Sequence, residues 1–561
     1  MSAIIIVLVS LVIFIAAYLI YGRWLAKQWG VDPTRETPAH TMNDGIDYVP
    51  AKAPVLLGHH FASIAGAGPI NGPIQAAIFG WVPVLLWVVI GGIFFGGLQD
   101  FSSLFASIRN KGHSIGEIIS EMMGKTGKRL FISFAFLTLT LVVAAFASIV
   151  ANTFNGFAAD GARNVTGGSV ATSSLLFIVL AVVFGFFVYK RNTPLFLSSL
   201  IGVVLLAVCI TIGLLAPIHL TLNTWIAILG VYIFVAAVAP VWILLQPRDY
   251  LNSFLLYGMI LAAIVGIFIA NPVMNLPAFT GGIINGQPIF PMLFITVACG
   301  AISGFHSLVG SGTTSKQIDN EKDAKFIGYG GMLIECMLAV IALIAVGTLY
   351  SGGKMPEGTP AVVLATAIAN FLALIGIPVD VMKTIITLAI SAFALTSLDT
   401  ATRLARFLLQ EFFLEKGEDP KTVKGPRKII TNMYVSTAIT VALGILLAVG
   451  GYQNIWPLFG AANQLLAALA LLGVALWLSS IGRNNKMFYI PMIFMLIATL
   501  TALVIGVINN IRNIVGGGNA FVQTLQMVFG VLLFALAIVL AVQGIKMLFG
   551  KKDATAPEGA K

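Results

Sequence analysis

The sequence predicts an all-α integral membrane protein of about fifteen transmembrane helices, with a five-plus-five inverted repeat and extra helices outside it. Three observations predict this: the apolar composition, the one-sided placement of basic residues, and a motif that recurs in opposite orientation. Of 561 residues, 58% are hydrophobic and 10% are charged, against about a quarter charged in soluble domains. Mean hydropathy is +0.97. Soluble cores stop growing near about 300 residues, so this much apolar surface requires a lipid bilayer as its solvent.

Apolar runs long enough to span fall near 2–22, 56–76, 78–108, 129–155, 173–190, 195–216, 224–246, 251–271, 290–312, 327–350, 380–402, 429–450, 454–480, 488–511 and 520–548. One more run, 360–377, is ambiguous by length, and charge decides it. Cytoplasmic loops collect Lys and Arg. With 22–55 placed inside, the basic loops near 109–129, 190–191, 248, 316–325, 403–428 and 483–486 share its side with the C-terminus. Of the 32 lysines and arginines, only Arg163, Lys354, Lys383 and Arg512 then fall outside. This holds only if 360–377 does not cross, so that run is read as an external re-entrant or surface hairpin. The N-terminus is expected outside and the C-terminus in the cytoplasm.

The chain divides into an N-terminal extra span and cytoplasmic loop (1–55), a first repeat with two surplus spans (56–289), a second repeat containing the hairpin (290–480), and two C-terminal spans with a tail (481–561). The surplus spans are expected among 195–271. The first run has no small-residue cleavage site after it and is read as a retained span. The net charge of +10 sits in short loops, where it orients spans, so a nucleic-acid partner is not expected. Cys209, Cys299 and Cys336 are too far apart to suggest a disulfide or metal framework. No HExxH, phosphate-binding loop or GxSxG elbow is present, so neither an enzyme nor a cofactor is expected.

The repeated motif points to a site. FASIAGAG (61–68) and FHSLVGSG (305–312) lie 244 residues apart and share Phe, Ser and both glycines. The topology above runs them in opposite directions, and inverted, Gly-interrupted helices mark the binding site of secondary transporters. Gly66, Gly68, Pro69, Gly72 and Pro73 crowd one stretch and disfavour continuous helix. Freed backbone groups in a bilayer must be satisfied, and a substrate and an ion are candidates. The half-helix beginning near Asn71 would aim its positive end at a carboxylate. Ser63, Gly66, Gly68, Asn71, Phe305, Ser307, Gly310 and Gly312 are therefore the candidate substrate-binding residues. The glycines alternatively serve close helix packing. The short stretch 115–124 and the run 360–377 occupy inverted positions in the two copies. The arrangement resembles the LeuT-type fold, with 56–76 and 290–312 as its broken helices.

Ionisable residues inside spans are costly and are functional candidates. His59, His60 and His306 suit proton coupling, or are neutral histidines bonded to carbonyls. Asp399 either takes a proton, pairs with Arg403 four residues on, or caps the cytoplasmic vestibule. Asp100, placed near the inner surface, and Glu335 belong to a proton path or an internal ion pair. Asn463 and Gln464 are read as packing contacts. In LeuT-like proteins the helix holding Thr396 and Ser397 often supplies two hydroxyls to a sodium site. That likeness implies a possible Na+ at Ala65, Thr396 and Ser397, unless the hydroxyls are ordinary helix contacts.

HHFASIAGAGPINGP (59–73), SGFHSLVGSGTTSKQI (303–318) and TSLDTATRLARF (396–407) resemble the hallmark segments of the carbon starvation protein A (CstA) family, over roughly 2–548. The resemblance implies a multi-pass transporter of the bacterial cell membrane. Its substrates would be peptides, taken up during carbon starvation, or pyruvate carried with a proton. The residues leave open H+ or Na+ coupling, a sodium-coupled transporter of another small carboxylate, and a membrane nutrient sensor working with a partner. A channel fits the inversion less well, because the copies are not arranged as a ring.

Overall fold

The computed structural model describes residues 1–45, 48–158, 160–187, 194–240, 244–414, 423–517 and 519–549. The tail after 549, the loop at 188–193 and residues 415–422, to which basic charge was assigned, lie outside them. Among the described residues, twelve helices are long and apolar enough to cross a membrane. The interrupted 53–76 segment and two helices of 17 and 16 residues occupy the other three expected positions.

The chain opens with α1 (Ala3–Leu19) and α2 (Tyr21–Trp29), which form one span, then a loop containing the short α3 (Pro38–Thr41). The first repeat starts with a broken helix, α4 (Ala53–Ile64) and α5 (Gly68–Ala76). A second span joins α6 (Trp81–Gly91) to α7 (Gly97–Arg109) through a π-helical turn. The predicted amphipathic segment 115–124 is the first part of α8 (Ile115–Phe154), bent at Gly124, whose φ of +72° only glycine adopts readily. Ser114 and Glu117 form a capping box at its start. Then follow α9 (Val165–Gly185), α10 (Leu195–Leu215), α11 (Leu222–Val238) and α12 (Leu245–Ala270).

A two-strand hairpin, β1 (Ile283–Ile284) and β2 (Gln287–Pro288), leads into the second broken helix, α13 (Ile289–Val297) and α14 (Gly304–Gly312). After it come α15 (Gly330–Leu349), α16 (Pro360–Ala373), α17 (Val379–Phe413), the short α18 (Arg427–Ile430), α19 (Met433–Ala448) and α20 (Tyr452–Ser480). Two long helices, α21 (Tyr489–Val515) and α22 (Ala520–Phe549), close the described chain.

The packing identifies the repeats. α8 and α17 form the largest helix contact and are equivalent third members; α12 touches α4 and α17 as α20 touches α14 and α8. α9 also packs on α8 and α17, whereas α10 packs chiefly on α9, and α11 on α19, α8 and α17. The run 360–377 is one 14-residue helix and a turn rather than a hairpin. At about 1.5 Å per residue it falls short of the roughly 30 Å hydrocarbon layer, and it packs against α12, α15 and α17.

One basic position moves. Arg248 was counted as a loop charge, but it lies in the first turn of α12 and is 1% exposed. Asp249, Asn252 and Ser253 after it are buried as well, so the polar start of α12 lies inside the bundle and charge alone misplaced it.

The loop between α2 and α4 is strapped to the segment after α14. Thr37 Oγ1 donates to the Ile318 carbonyl at 2.6 Å, Ala51 N donates to the Gln317 carbonyl at 2.9 Å, and Asp32 N donates to Glu321 at 2.9 Å. Arg109 at the end of α7 donates twice to Glu321, at 2.8 and 2.7 Å, and once to the Gly30 carbonyl at 2.8 Å. Glu321 is wholly buried. Removing one partner of a buried pair costs about 3–5 kcal/mol. Glu321→Ala is therefore expected to lower the apparent Tm of the detergent-purified protein, with Lys322→Ala as the exposed control. Equal transitions for the two variants would show that the strap adds no stability.

Candidate functional site

The two helix breaks meet inside the bundle. The first spans Ala65–Ala67 and is followed by Pro69 in the first turn of α5, where a missing N–H costs nothing. The second spans Ala298–Ser303, with Ala298 at a φ of +43°. Residues 61–74 and 297–311 are all buried. The glycines of the first motif permit their close approach. A Cβ on Gly66 would stand 2.8 Å from Ser397 Oγ, one on Gly68 would stand 2.6 Å from Cys299 Cβ, and one on Gly72 would collide with the Val297 carbonyl. Close packing and helix breaking, set out as alternatives from the sequence, coexist.

The protein itself satisfies several groups that the breaks release. Ser397 Oγ donates to the Ser63 carbonyl at 3.3 Å. At the second break, Asn463 Oδ1 accepts from Phe305 N at 2.9 Å and Gln464 Nε2 donates to the Phe294 carbonyl at 2.8 Å. Trp456 Nε1 donates to the Thr296 carbonyl at 3.1 Å. Asn463 and Gln464 are thus backbone caps rather than mere packing contacts. The signal for this was two adjacent carboxamides in an otherwise apolar helix.

The remaining candidates separate by position. Ser307 is turned onto its own helix, donating to the Gly304 carbonyl at 2.6 Å, and Ser63 donates to the His59 carbonyl at 2.9 Å. Asn71 is buried, and its Nδ2 has no partner among the described residues. Phe305 is buried beside the second break. Gly310 faces Leu104 and His60, and Gly312 faces Leu404. His60 Nδ1 lies 2.8 Å from Thr314 Oγ1, tying α4 to the turn after α14. The half-buried His59 ring has no hydrogen-bond partner among the described residues.

Two buried ionisable clusters flank the breaks. In the first, His306 of α14 places Nδ1 2.8 Å from Asp100 Oδ2 and Nε2 3.4 Å from Glu335 Oε2. The three residues come from α14, α7 and α15 and are almost fully buried. Asp100 is therefore inside the bundle, not near its inner surface; the rule that places ionisable residues at helix ends gives way to a buried partner. Asp100 and Glu335 were each marked by sequence, but their meeting at His306 needed the fold.

In the second cluster, Asp399 of α17 pairs with Arg248 of α12 and accepts from Tyr232 of α11 at 2.9 Å. The partner is Arg248 rather than Arg403, which donates to the carbonyls of Ala236 and Ala239 at 2.9 and 2.6 Å. Thr396 Oγ1 accepts from Asn252 Nδ2 at 2.8 Å and from Arg248 Nη2 at 3.4 Å. Of the proposed sodium ligands, Ser397 meets the first break beside Ala65, whereas Thr396 faces this cluster.

The profile of carbon starvation protein CstA matches residues 2–356 and 352–502. The chain belongs to the carbon starvation protein CstA family. It is 37% identical to a peptide transporter CstA of Bacillus subtilis, over 84% of each chain. It is 34% identical to a peptide transporter CstA of Escherichia coli, over 89% of this chain and 80% of that one. It is 33% identical to the pyruvate/proton symporter BtsT of Escherichia coli, over 90% of this chain and 81% of that one. Among solved structures, a mutant of the Eremococcus coleocola manganese transporter matches with a TM-score of 0.50 at 13% identity. That match covers 90% of this chain and 99% of that chain, and shows likeness of fold alone. This member of the CstA family is thus a multi-pass bacterial membrane protein.

The His306 cluster yields a prediction. His306→Ala would leave two carboxylates buried without their imidazole, at a cost of about 3–5 kcal/mol. Adding Asp100→Asn and Glu335→Gln removes the uncompensated charge and is expected to recover most of the lost Tm. A triple variant no more stable than His306→Ala would show that the cluster is not electrostatically coupled.

Proposed function

We propose that this chain imports small peptides, pyruvate or both across the bacterial cell membrane by symport with a proton, scavenging nutrients during carbon starvation. The observation that carries the reading is the contact between two inverted helix breaks, with an acid–histidine cluster on the second. Broken helices at a repeat interface hold substrate in secondary transporters. The amides just after Gly66 and those of Ser303 and Gly304 are the groups that would receive a carboxylate. Relatives named as peptide transporters and as a pyruvate/proton symporter support this substrate range.

A proton is favoured over sodium. The Arg248 guanidinium, 3.4 Å from the Thr396 hydroxyl, would repel a second cation in a low-dielectric interior. His306, between two carboxylates, is a site where one proton changes the local charge without a metal ligand set. The basic loops favour a cytoplasmic face at the strapped end, with the N-terminus outside and the C-terminus inside. The closed breaks correspond to an occluded state, and alternating access would part α4 or α13 from the rest.

Uptake of labelled pyruvate and labelled dipeptide into proteoliposomes tests this reading. An inward proton gradient is expected to drive accumulation of at least one of them, and an inward sodium gradient of neither. Sodium-driven accumulation alone would reverse the choice of ion, and failure of both gradients would end the symport reading. Gly66→Leu is expected to insert in the membrane yet lose at least 100-fold in uptake, because its side chain would occupy the space of Ser397 and Phe146. Normal uptake by that variant would remove the first break from the site.

A further inference from the structure

A separate cleft lies at the end of the bundle opposite the strap, away from both ionisable clusters. It has a volume of about 250 Å³ and is walled by α13, α20, α21, α22 and the hairpin before α13. This is just under the usual range for small-ligand sites.

The chemistry of its wall is unusual for a membrane helix bundle. Eight lining side chains are carboxamides, and none is charged or aromatic. They follow helical spacing: Gly506, Asn509 and Asn513 share one face of α21, and Gln523, Gln526 and Gly530 share one face of α22. Gln526 is 4% exposed, and its Nε2 has no partner among the described residues. The buried Oε1 of Gln523 also lacks a partner among them. Leaving such groups unpaired costs about 1–3 kcal/mol each, yet here two of them, on one helix face, line the same space. Gly506 keeps that space open, since a Cβ there would meet nothing within 4 Å. The floor is aliphatic, formed by Met292 and Ile295 of α13 with Leu503.

We infer that this cleft is a second binding site that takes a short, uncharged stretch of peptide. A peptide unit donates through N–H and accepts through C=O, and a carboxamide answers both. An aliphatic side chain would reach the floor. A phosphate headgroup would find no Lys or Arg on this wall, and a sugar would find no aromatic face to stack on. Met292 and Ile295 belong to the first half of the second broken helix, so an occupant would rest directly on α13. The inference borrows only the choice of peptide from the functional reading above; the cleft is distinct from the breaks and lies on the face proposed as external.

The test is isothermal titration of the full-length protein in nanodiscs with N-acetyl-Ala-Leu-Ala-amide, which has no charged terminus for the breaks to hold. Wild type is expected to bind it. Gly506→Phe, which fills the cleft, and Gln526→Leu, which removes its deepest carboxamide, are each expected to bind at least 10-fold more weakly. Both should retain pyruvate uptake within about twofold. Gly66→Leu should bind the capped peptide normally while failing in uptake, so a wrong transport reading and a wrong cleft assignment give different results. No binding to wild type, or equal binding to wild type and both cleft variants, overturns the inference. Displacement of the peptide by phosphatidylglycerol in the nanodisc lipid also overturns it, assigning the cleft to lipid.

Discussion

A bilayer supplies no water to an exposed peptide group, and the arrangement of this protein follows from that constraint. Each interruption of a spanning helix releases N–H and C=O groups that cost several kcal/mol apiece if unmatched. The chain interrupts two helices and then assigns neighbours to the exposed groups. Ser397 of α17 serves the first break, and Trp456, Asn463 and Gln464 of α20 serve the second. Because α17 and α20 are the helices that pack most extensively on α8, the breaks are anchored to the most densely packed part of the bundle. The glycines of the first motif complete the arrangement by letting α5 lie directly against the second break.

The same constraint governs charge. An isolated ion in the interior is prohibitive, so ionisable residues gather where partners from different helices can meet. Asp100, His306 and Glu335 join three helices, as do Arg248, Asp399 and Tyr232. His306 sits on a broken helix, whereas Asp399 sits on the unbroken α17. Motion of α14 would therefore change the surroundings of the first cluster while leaving the second largely fixed. That asymmetry supports proton exchange at His306 and a static role for the Arg248–Asp399 pair.

Much of this was legible in the sequence, and the boundary is physical. Hydropathy located the spans, because burial in lipid is a property of composition over about 20 residues. The short run 360–377 was excluded from crossing by charge balance, and it folds as the 14-residue helix α16 and a turn. The Gly-Pro cluster announced the first break, since those residues act on their own backbone. Partners were not legible. Nothing local tells that Arg248, apparently in a loop, belongs to Asp399 of a helix 151 residues away, or that Asp100 and Glu335 share one imidazole. Helical spacing offered Arg403 as the nearer partner for Asp399, and tertiary packing overrode it. The carboxamide stripe of α21 and α22 was visible as residues but carried no meaning until two helix faces were known to oppose each other.

Coupling between the two breaks follows from how little space separates them. Gly68 abuts Cys299, and Gly72 abuts the Val297 carbonyl, closely enough that a single methyl group would not fit. Interfaces packed this tightly do not deform gradually; they separate or they hold. A displacement of α13 must therefore drag α5 or break contact with it. The caps from Gln464 and Trp456 hold the C-terminal end of α13, while Asn463 holds the start of α14. All three caps come from one helix, so the two halves of the second break share an anchor. A ligand resting on Met292 and Ile295 would press on the same half-helix from its far side. The geometry thus gives the end of α13 a mechanical connection to the cleft on one face and to the first break on the other.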